Sequence, residues 1–162
     1  MTRNYFLIAC LFCMSNLLLA QISNETLGTV STEDSVDYTT GSSITTGSYN
    51  VMIGDGSGSS LTEGDSNTLL GTSSGAKLTT GDRNVLLGDL AGFNTDNDND
   101  NIFIGFMAGY YNTRSDNVFI GKTAGFNNTD GDDNVFIGEH AGNRVTTGDD
   151  NTYIGDKAGA SS

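Results

Sequence analysis

Carboxylate-rich turns are the parts of this sequence whose residue types best suit metal chemistry. Asp96-Asn97-Asp98-Asn99-Asp100 and Asp130-Gly131-Asp132-Asp133 place several oxygen atoms within a few residues, as Ca²⁺ sites do. Neither segment fits an EF-hand loop or the Gly-Gly-x-Gly-x-Asp repeat of calcium-binding β-rolls. We therefore keep Asp96, Asp98 and Asp100 as weak calcium-ligand candidates, with solvated turn acids as the alternative, and expect no other cofactor.

Catalytic chemistry has little support in the residue types. The chain has one histidine, His140, and no nucleophile whose position relative to a base is fixed by the sequence. His140 occupies a variable repeat position, which holds Gly56, Ser73, Leu90, Met107, Thr123 and Lys157 in the other repeats. This variation is typical of a surface position, and we expect that the protein is not an enzyme.

A partial threonine column offers a binding chemistry, because flat threonine arrays can bind ice. Its members are Thr45, Thr62, Thr79, Thr129 and Thr146. Asp96 and Asn112 interrupt the column in this alignment, so an ice- or glycan-binding module is a third and weaker hypothesis.

The elements that position all these residues come from a short internal repeat, Asn-[Val/Thr/Ile]-x-[Ile/Leu]-Gly-x-x-[Ala/Ser]-Gly. Its first residues are 17 apart, except for one step of 16 between the fourth and fifth: Asn50, Asn67, Asn84, Asn101, Asn117, Asn134 and Asn151. A fixed short period indicates a stack of near-identical units, each of which buries its apolar side against its neighbours. Function would therefore lie in columns of residues.

Each repeat contains one short segment of β-branched and aromatic residues bounded by Asn and Gly, which predicts a strand. No 3.6-residue periodicity persists, and the chain has no proline to interrupt a ladder. The sequence therefore predicts an all-β fold, a parallel β-solenoid (β-roll) of about seven 17-residue coils. At ~4.8 Å for each coil, the stack would be roughly 34 Å long.

The repeat asparagines are expected to form a structural ladder, since stacked amides bond along a stack and to turn backbone. In each strand the first and third residues, such as Val51 and Ile53, are expected to fill the core. The middle residue would then face outwards, giving an apolar stripe of interface candidates: Met52, Leu69, Leu86, Phe103, Phe119, Phe136 and Tyr153. Alternatives are a cover from Phe93, Tyr110 and Phe126, or a second internal layer.

The chain is expected to begin with a signal peptide at residues 1–20, since Arg3 precedes an apolar stretch that ends in Leu18-Leu19-Ala20. A membrane anchor or a lipoprotein cut at Cys10 are the alternatives. Residues 21–41 lack the repeat and would be a cap, a linker or a donated strand, and residues 42–162 form the repeat domain. Both cysteines lie in the first segment, so the secreted chain would have no disulfide.

The charge balance excludes some partners. The chain has 20 acidic and 7 basic residues and a formal net charge of -13, which argues against nucleic acid and anionic membranes. We expect no membrane insertion after signal removal. No polar cap follows the last repeat, so an open coil would favour self-association into a head-to-tail polymer.

The segment Asn117-Val118-Phe119-Ile120-Gly121-Lys122-Thr123-Ala124-Gly125 resembles the head repeats of YadA-like trimeric adhesins, and the resemblance covers residues 50–159. Those repeats carry Ser-Val-Ala-Ile-Gly, have a shorter period and form a left-handed parallel β-roll, usually as a trimer. The resemblance implies a β-roll on a cell surface. We expect a secreted structural subunit of an extracellular fibre or surface appendage. The alternative is an adhesin head that binds a host, matrix or glycan ligand.

Overall fold

The computed structural model describes residues 40–160, which form a parallel β-solenoid with about 17 residues in each turn and no helix in this part of the chain. Its seven strands are Val51–Ile53 (β1), Thr68–Leu70 (β2), Val85–Leu87 (β3), Ile102–Ile104 (β4), Val118–Ile120 (β5), Val135–Ile137 (β6) and Thr152–Ile154 (β7). They form one parallel sheet in the order β1-β2-β3-β4-β5-β6-β7. The predicted fold class is confirmed.

Neighbouring strands pair so that equivalent repeat positions lie side by side, and each repeat position therefore forms a column along the stack. Met52 lies beside Leu69, and Phe103 lies beside Phe119, although one residue fewer separates the second pair along the chain. The glycine after each strand is required by this stacking. At Gly88, where φ is 137°, an added Cβ would lie 2.6 Å from the carbonyl oxygen of Gly105 in the next coil. Only glycine allows both this φ and this approach.

The core is a narrow file of side chains along the stack. The middle residues of β1 to β6 are buried, and they pack with a small-residue column that includes Ala91 and Ala108. Leucines from the return segments, by which we mean the residues between one strand and the next, also pack in the core. At Gly109, where φ is 61°, a Cβ would lie 2.5 Å from the ring of Phe103. The second glycine of the repeat therefore makes room for the large side chain of its own strand.

The predicted signal peptide at residues 1–20 lies outside the described residues, as does the 21–41 segment except for residues 40 and 41. These two residues belong to an incomplete coil before β1, where Thr40 Oγ1 donates to the carbonyl of Gly54 (2.9 Å). Between residues 40 and 160, we find no helix of the length and hydropathy needed to cross a membrane.

Candidate interaction surface and the shortened coil

The prediction that the middle strand column faces outwards is wrong. Met52, Leu69, Leu86, Phe103, Phe119 and Phe136 are at most 4 % exposed and form the core, and Tyr153 packs against them while partly exposed. The rings of Phe103, Phe119 and Phe136 are stacked with centroids 4.9 Å apart. These interface candidates are therefore core residues, because the largest side chain in each coil is the one that fills the interior.

The outward face of the sheet instead carries the first and third strand residues. We call this surface the sheet face, and its two columns are Val51, Thr68, Val85, Ile102, Val118, Val135 and Thr152, then Ile53, Leu70, Leu87, Ile104, Ile120, Ile137 and Ile154. All fourteen side chains are exposed or half-exposed, and only two of them, Thr68 and Thr152, are polar. An outward sheet face is usually polar, so this apolar surface is the unusual feature of the fold.

Charged residues flank the sheet face on both sides. The first rim is the residue before each repeat Asn: Tyr49, Ser66, Arg83, Asp100, Asp116, Asp133 and Asp150. The second rim is the residue after each strand glycine: Asp55, Thr72, Asp89, Phe106, Lys122, Glu139 and Asp156. Every one of these residues is exposed. An apolar centre with a charged rim is the usual anatomy of a protein interface.

Ion pairs within the rims link neighbouring coils. Arg83 binds both carboxylate oxygens of Asp100, at 2.7 and 2.8 Å, and this pairing lowers the pKa of Asp100. Lys122 Nζ lies 3.2 Å from Glu139. The pKa of Asp116 is raised, first by loss of surrounding water and then by the carboxylates of Asp100 and Asp133. Most of the rim charge is therefore acidic, with two cations in fixed positions.

The repeat asparagines, each directly before a strand, form a ladder along the stack. Asn50 Oδ1 accepts from the backbone N (2.9 Å) and the Nδ2 (3.1 Å) of Asn67, whose Nδ2 also donates to the carbonyl of Gly81 (2.8 Å). Asn84 and Asn134 repeat this pattern with their neighbours. The ladder provides hydrogen-bond partners for buried amide groups, so its role is structural.

Each of the three calcium-ligand candidates contacts a different group of the protein. Asp96 Oδ1 accepts from Thr79 Oγ1 (2.6 Å), Asp98 faces the backbone of Asp96, and Asp100 is held by Arg83. Burial is the main cause that raises the pKa of Asp98. Within residues 40–160, no group of three or more metal-binding side chains lies in an arrangement that could hold an ion.

The second acidic turn has a structural use. Asp132 donates its backbone N–H to Asp149 Oδ1 (2.9 Å), as Asp65 does to Asp82 in an earlier pair of coils (2.8 Å). The aspartate of the Gly-Asp turn thus bonds the preceding coil. A cavity of about 560 Å³ opens near it, lined by Asp98, Arg114, Ser115, Asp116, Asp130, Asp132, Asp133 and Asp149.

The coil from Asn101 to Asp116 is one residue short, and hydrogen bonds locate the missing position. Thr113 Oγ1 donates to the carbonyl of Thr129, and Asn99 donates its backbone N–H to Ser115 Oγ. Arg114 alone therefore fills a space that two residues fill in the coils around it. In a full-length coil, the side-chain amide of the first Asn donates to a carbonyl near the end of the same coil, as Asn67 Nδ2 does to Gly81. The residue that would carry this carbonyl is the one that is missing here.

The buried Nδ2 of Asn101 consequently has no hydrogen-bond partner. In this coil and its neighbours, polar residues occupy the core column that elsewhere holds Leu61 and Leu78. Asn112 Oδ1 accepts from the Nδ2 of Asn117 (3.3 Å) and of Asn128 (3.0 Å). Asn112 and Asn128 were not predicted from the sequence to lie in the core; the available signal was asparagine both within the 16-residue step and in the coil that follows, at the repeat position that holds Leu61 and Leu78 earlier.

The other aromatic and polar columns lie on the return segments. Phe93, Tyr110 and Phe126 stack on one another, with centroids 5.2 and 5.3 Å apart, and do not cover the strand column. Tyr110 lies between the other two rings, so neither of its faces is free to stack on a sugar. His140 Nδ1 lies 2.6 Å from Thr123 Oγ1 on the surface.

The threonine column is fuller than the sequence alignment suggested. Thr113 occupies the position assigned to Asn112, so only Asp96 interrupts a column whose hydroxyls mostly donate to the carbonyl of the next coil, as Thr62 does to Thr79 (3.1 Å).

Comparisons with known proteins give no relative. No protein-family model matches the chain, and neither a search of curated proteins nor a search of solved structures found a match. The β-roll architecture is consistent with the YadA-like resemblance at the level of the fold.

Proposed function

We propose that the protein is a secreted structural subunit that self-associates into an extracellular fibre or surface appendage. The apolar sheet face is the single observation that carries this proposal. It presents twelve apolar side chains in two straight columns of seven positions, with the aliphatic residues Val51, Leu70, Ile102 and Ile154 between 36 and 68 % exposed. Soluble monomers seldom expose apolar patches larger than a few hundred Å².

The size of the sheet face suits a second copy of the chain. The columns are ~7 Å apart and seven strands extend for roughly 34 Å, so with its rims the surface measures about 500 Å². Two such faces would bury about 1,000 Å² in total, near the lower limit for a specific interface. One contact of this size supports a weak pair, and a stable assembly would need repeated contacts. A two-fold contact on this face closes as a pair, so a fibre needs a second contact, which the predicted head-to-tail stacking would supply.

The rest of the proposal follows from the sequence. Secretion depends on the predicted signal peptide, and membership of the YadA-like adhesins depends on the repeat motif. Head-to-tail stacking stays a prediction that is independent of the sheet face. The adhesin alternative gains little support from the aromatic column, since its central ring, Tyr110, is stacked on both faces.

Sedimentation velocity over a concentration series, with negative-stain microscopy, tests the proposal. The purified protein should form dimers or larger species as its concentration rises towards about 100 µM. Val118→Asp, on the half-exposed sheet face, should shift the protein to monomer. Thr146→Asp, on the exposed return segment, is the matched control and should associate as the unaltered protein does. A protein that stays monomeric throughout this range would refute the proposal.

A further inference from the structure

Charges on the two rims are complementary under reversal of the stack. β4 is the central strand, and β3 and β5 are its neighbours on either side. On the first rim, Arg83 precedes β3 by two residues and Asp116 precedes β5 by two residues. On the second rim, Asp89 follows β3 by two residues and Lys122 follows β5 by two residues. When the order of the coils is reversed about β4, the position of Arg83 therefore coincides with that of Asp116 on the first rim, and the position of Asp89 with that of Lys122 on the second.

We infer that the partner on the sheet face is a second copy in antiparallel orientation, related by a two-fold axis that lies in the interface above β4 and runs parallel to the strands. This inference rests on the proposed function. The axis keeps the strand direction and reverses the order of the coils, so each rim lies opposite itself. Arg83 then faces Asp116 of the second copy, Asp89 faces Lys122 of the second copy, and symmetry makes each pair twice.

The remaining rim positions are compatible with this arrangement. Phe106, which is 46 % exposed, meets its own counterpart at the centre of the second rim. Acid faces acid at two places. Asp100 meets its counterpart at the centre, where each is already bound by its own Arg83. Asp55 faces Asp156 at the outer corners, where Lys157 Nζ lies 3.8 Å from the Asp156 carboxylate.

A parallel pairing of the same two faces is less favourable. It would place the first rim of one copy against the second rim of the other at the same coil. Arg83 would then face Asp89 and Asp116 would face Lys122, as many opposite-charge pairs as in the antiparallel orientation. However, Asp133 would face Glu139 and Asp150 would face Asp156. All four of these acids lie in the last two coils, so like charges would be concentrated at one end of the interface, where they oppose association.

Charge-reversal variants distinguish the two orientations by sedimentation equilibrium of the purified protein. Arg83→Glu should weaken self-association about tenfold, and Asp116→Arg should do the same. The double variant R83E/D116R should recover most of the affinity. The matched control is R83E/D89R, which restores a pair only in the parallel orientation and should stay weak. Circular dichroism melting checks that each variant remains folded.

The outcomes separate this inference from the proposed function. If Val118→Asp abolishes association but R83E/D116R recovers no affinity, the sheet face is an interface and the antiparallel orientation is wrong. Recovery in R83E/D89R alone would show the parallel orientation. A second exchange, D89K/K122E, repeats the test on the other rim without altering the Arg83–Asp100 pair, and its recovery relative to Lys122→Glu would support the antiparallel pairing.

Discussion

Replacing Phe119 with alanine should destabilise the protein strongly. The ring is fully buried and stacks with Phe103 and Phe136, each with a centroid distance of 4.9 Å. A buried Phe→Ala change typically costs about 3–5 kcal/mol in the free energy of unfolding. We expect the upper part of that range, since strands stacked in fixed register on both sides limit how far the coil can collapse into the cavity.

Urea unfolding followed by circular dichroism measures this cost, with Phe119→Leu and Val118→Ala as matched comparisons. Leucine already fills the same core column at Leu69 and Leu86, so Phe119→Leu should cost much less, about 1 kcal/mol. Val118 lies on the half-exposed sheet face, and its truncation should also cost about 1 kcal/mol or less. A Phe119→Ala protein that loses less than Val118→Ala would refute the assignment of this column to the core.

Three further changes test the ladder, the shortened coil and a buried carboxylate. Asn84→Ala should cost about 2–4 kcal/mol in urea unfolding, because it removes the acceptor of the Asn101 backbone N–H and the donor to the Asp98 carbonyl, whereas Asn151→Ala at the last coil should cost much less. Inserting glycine between Arg114 and Ser115 should raise the melting temperature, since a carbonyl becomes available to Asn101 Nδ2. Burial raises the pKa of Asp98 in the fold, so its protonation on acidification favours the folded state; Asp98→Asn should raise the melting temperature at neutral pH and weaken its pH dependence.

The repeat period and the β-branched segments in each repeat were together sufficient to predict the fold. Near-identical repeats of almost equal length stack in register, and the seven parallel strands follow the repeat asparagines without exception. The orientation of the strands could not be predicted in this way. Successive strand residues face opposite sides, so Phe119 faces one side while Val118 and Ile120 face the other. All three are apolar, so polarity does not show which side is the core. Side-chain size decided the matter, because the interior accepts the large residue only where Gly125 leaves room for its ring.

The shortened coil shows a different limit. The sequence contains the 16-residue step between Asn101 and Asn117, yet it does not reveal which residue is missing. Conventional counting placed Asn112 in the threonine column, whereas hydrogen bonding places Thr113 there and sends Asn112 into the core. That choice depends on which carbonyls remain within reach of buried amides, and this is decided by the packed corner rather than by local sequence.

The position of the missing residue also bears on the sheet face. The gap at Arg114 lies in the return segment, and β4 still pairs with β5 in the same register, with Ile102 beside Val118 and Ile104 beside Ile120. A residue lost within β4 would turn the remaining side chains of that strand to the opposite side and would interrupt the apolar columns there. The corner absorbs the loss and leaves one buried donor, Asn101 Nδ2, without a partner. Both apolar columns therefore remain continuous over seven strands, as a two-fold contact centred on β4 requires.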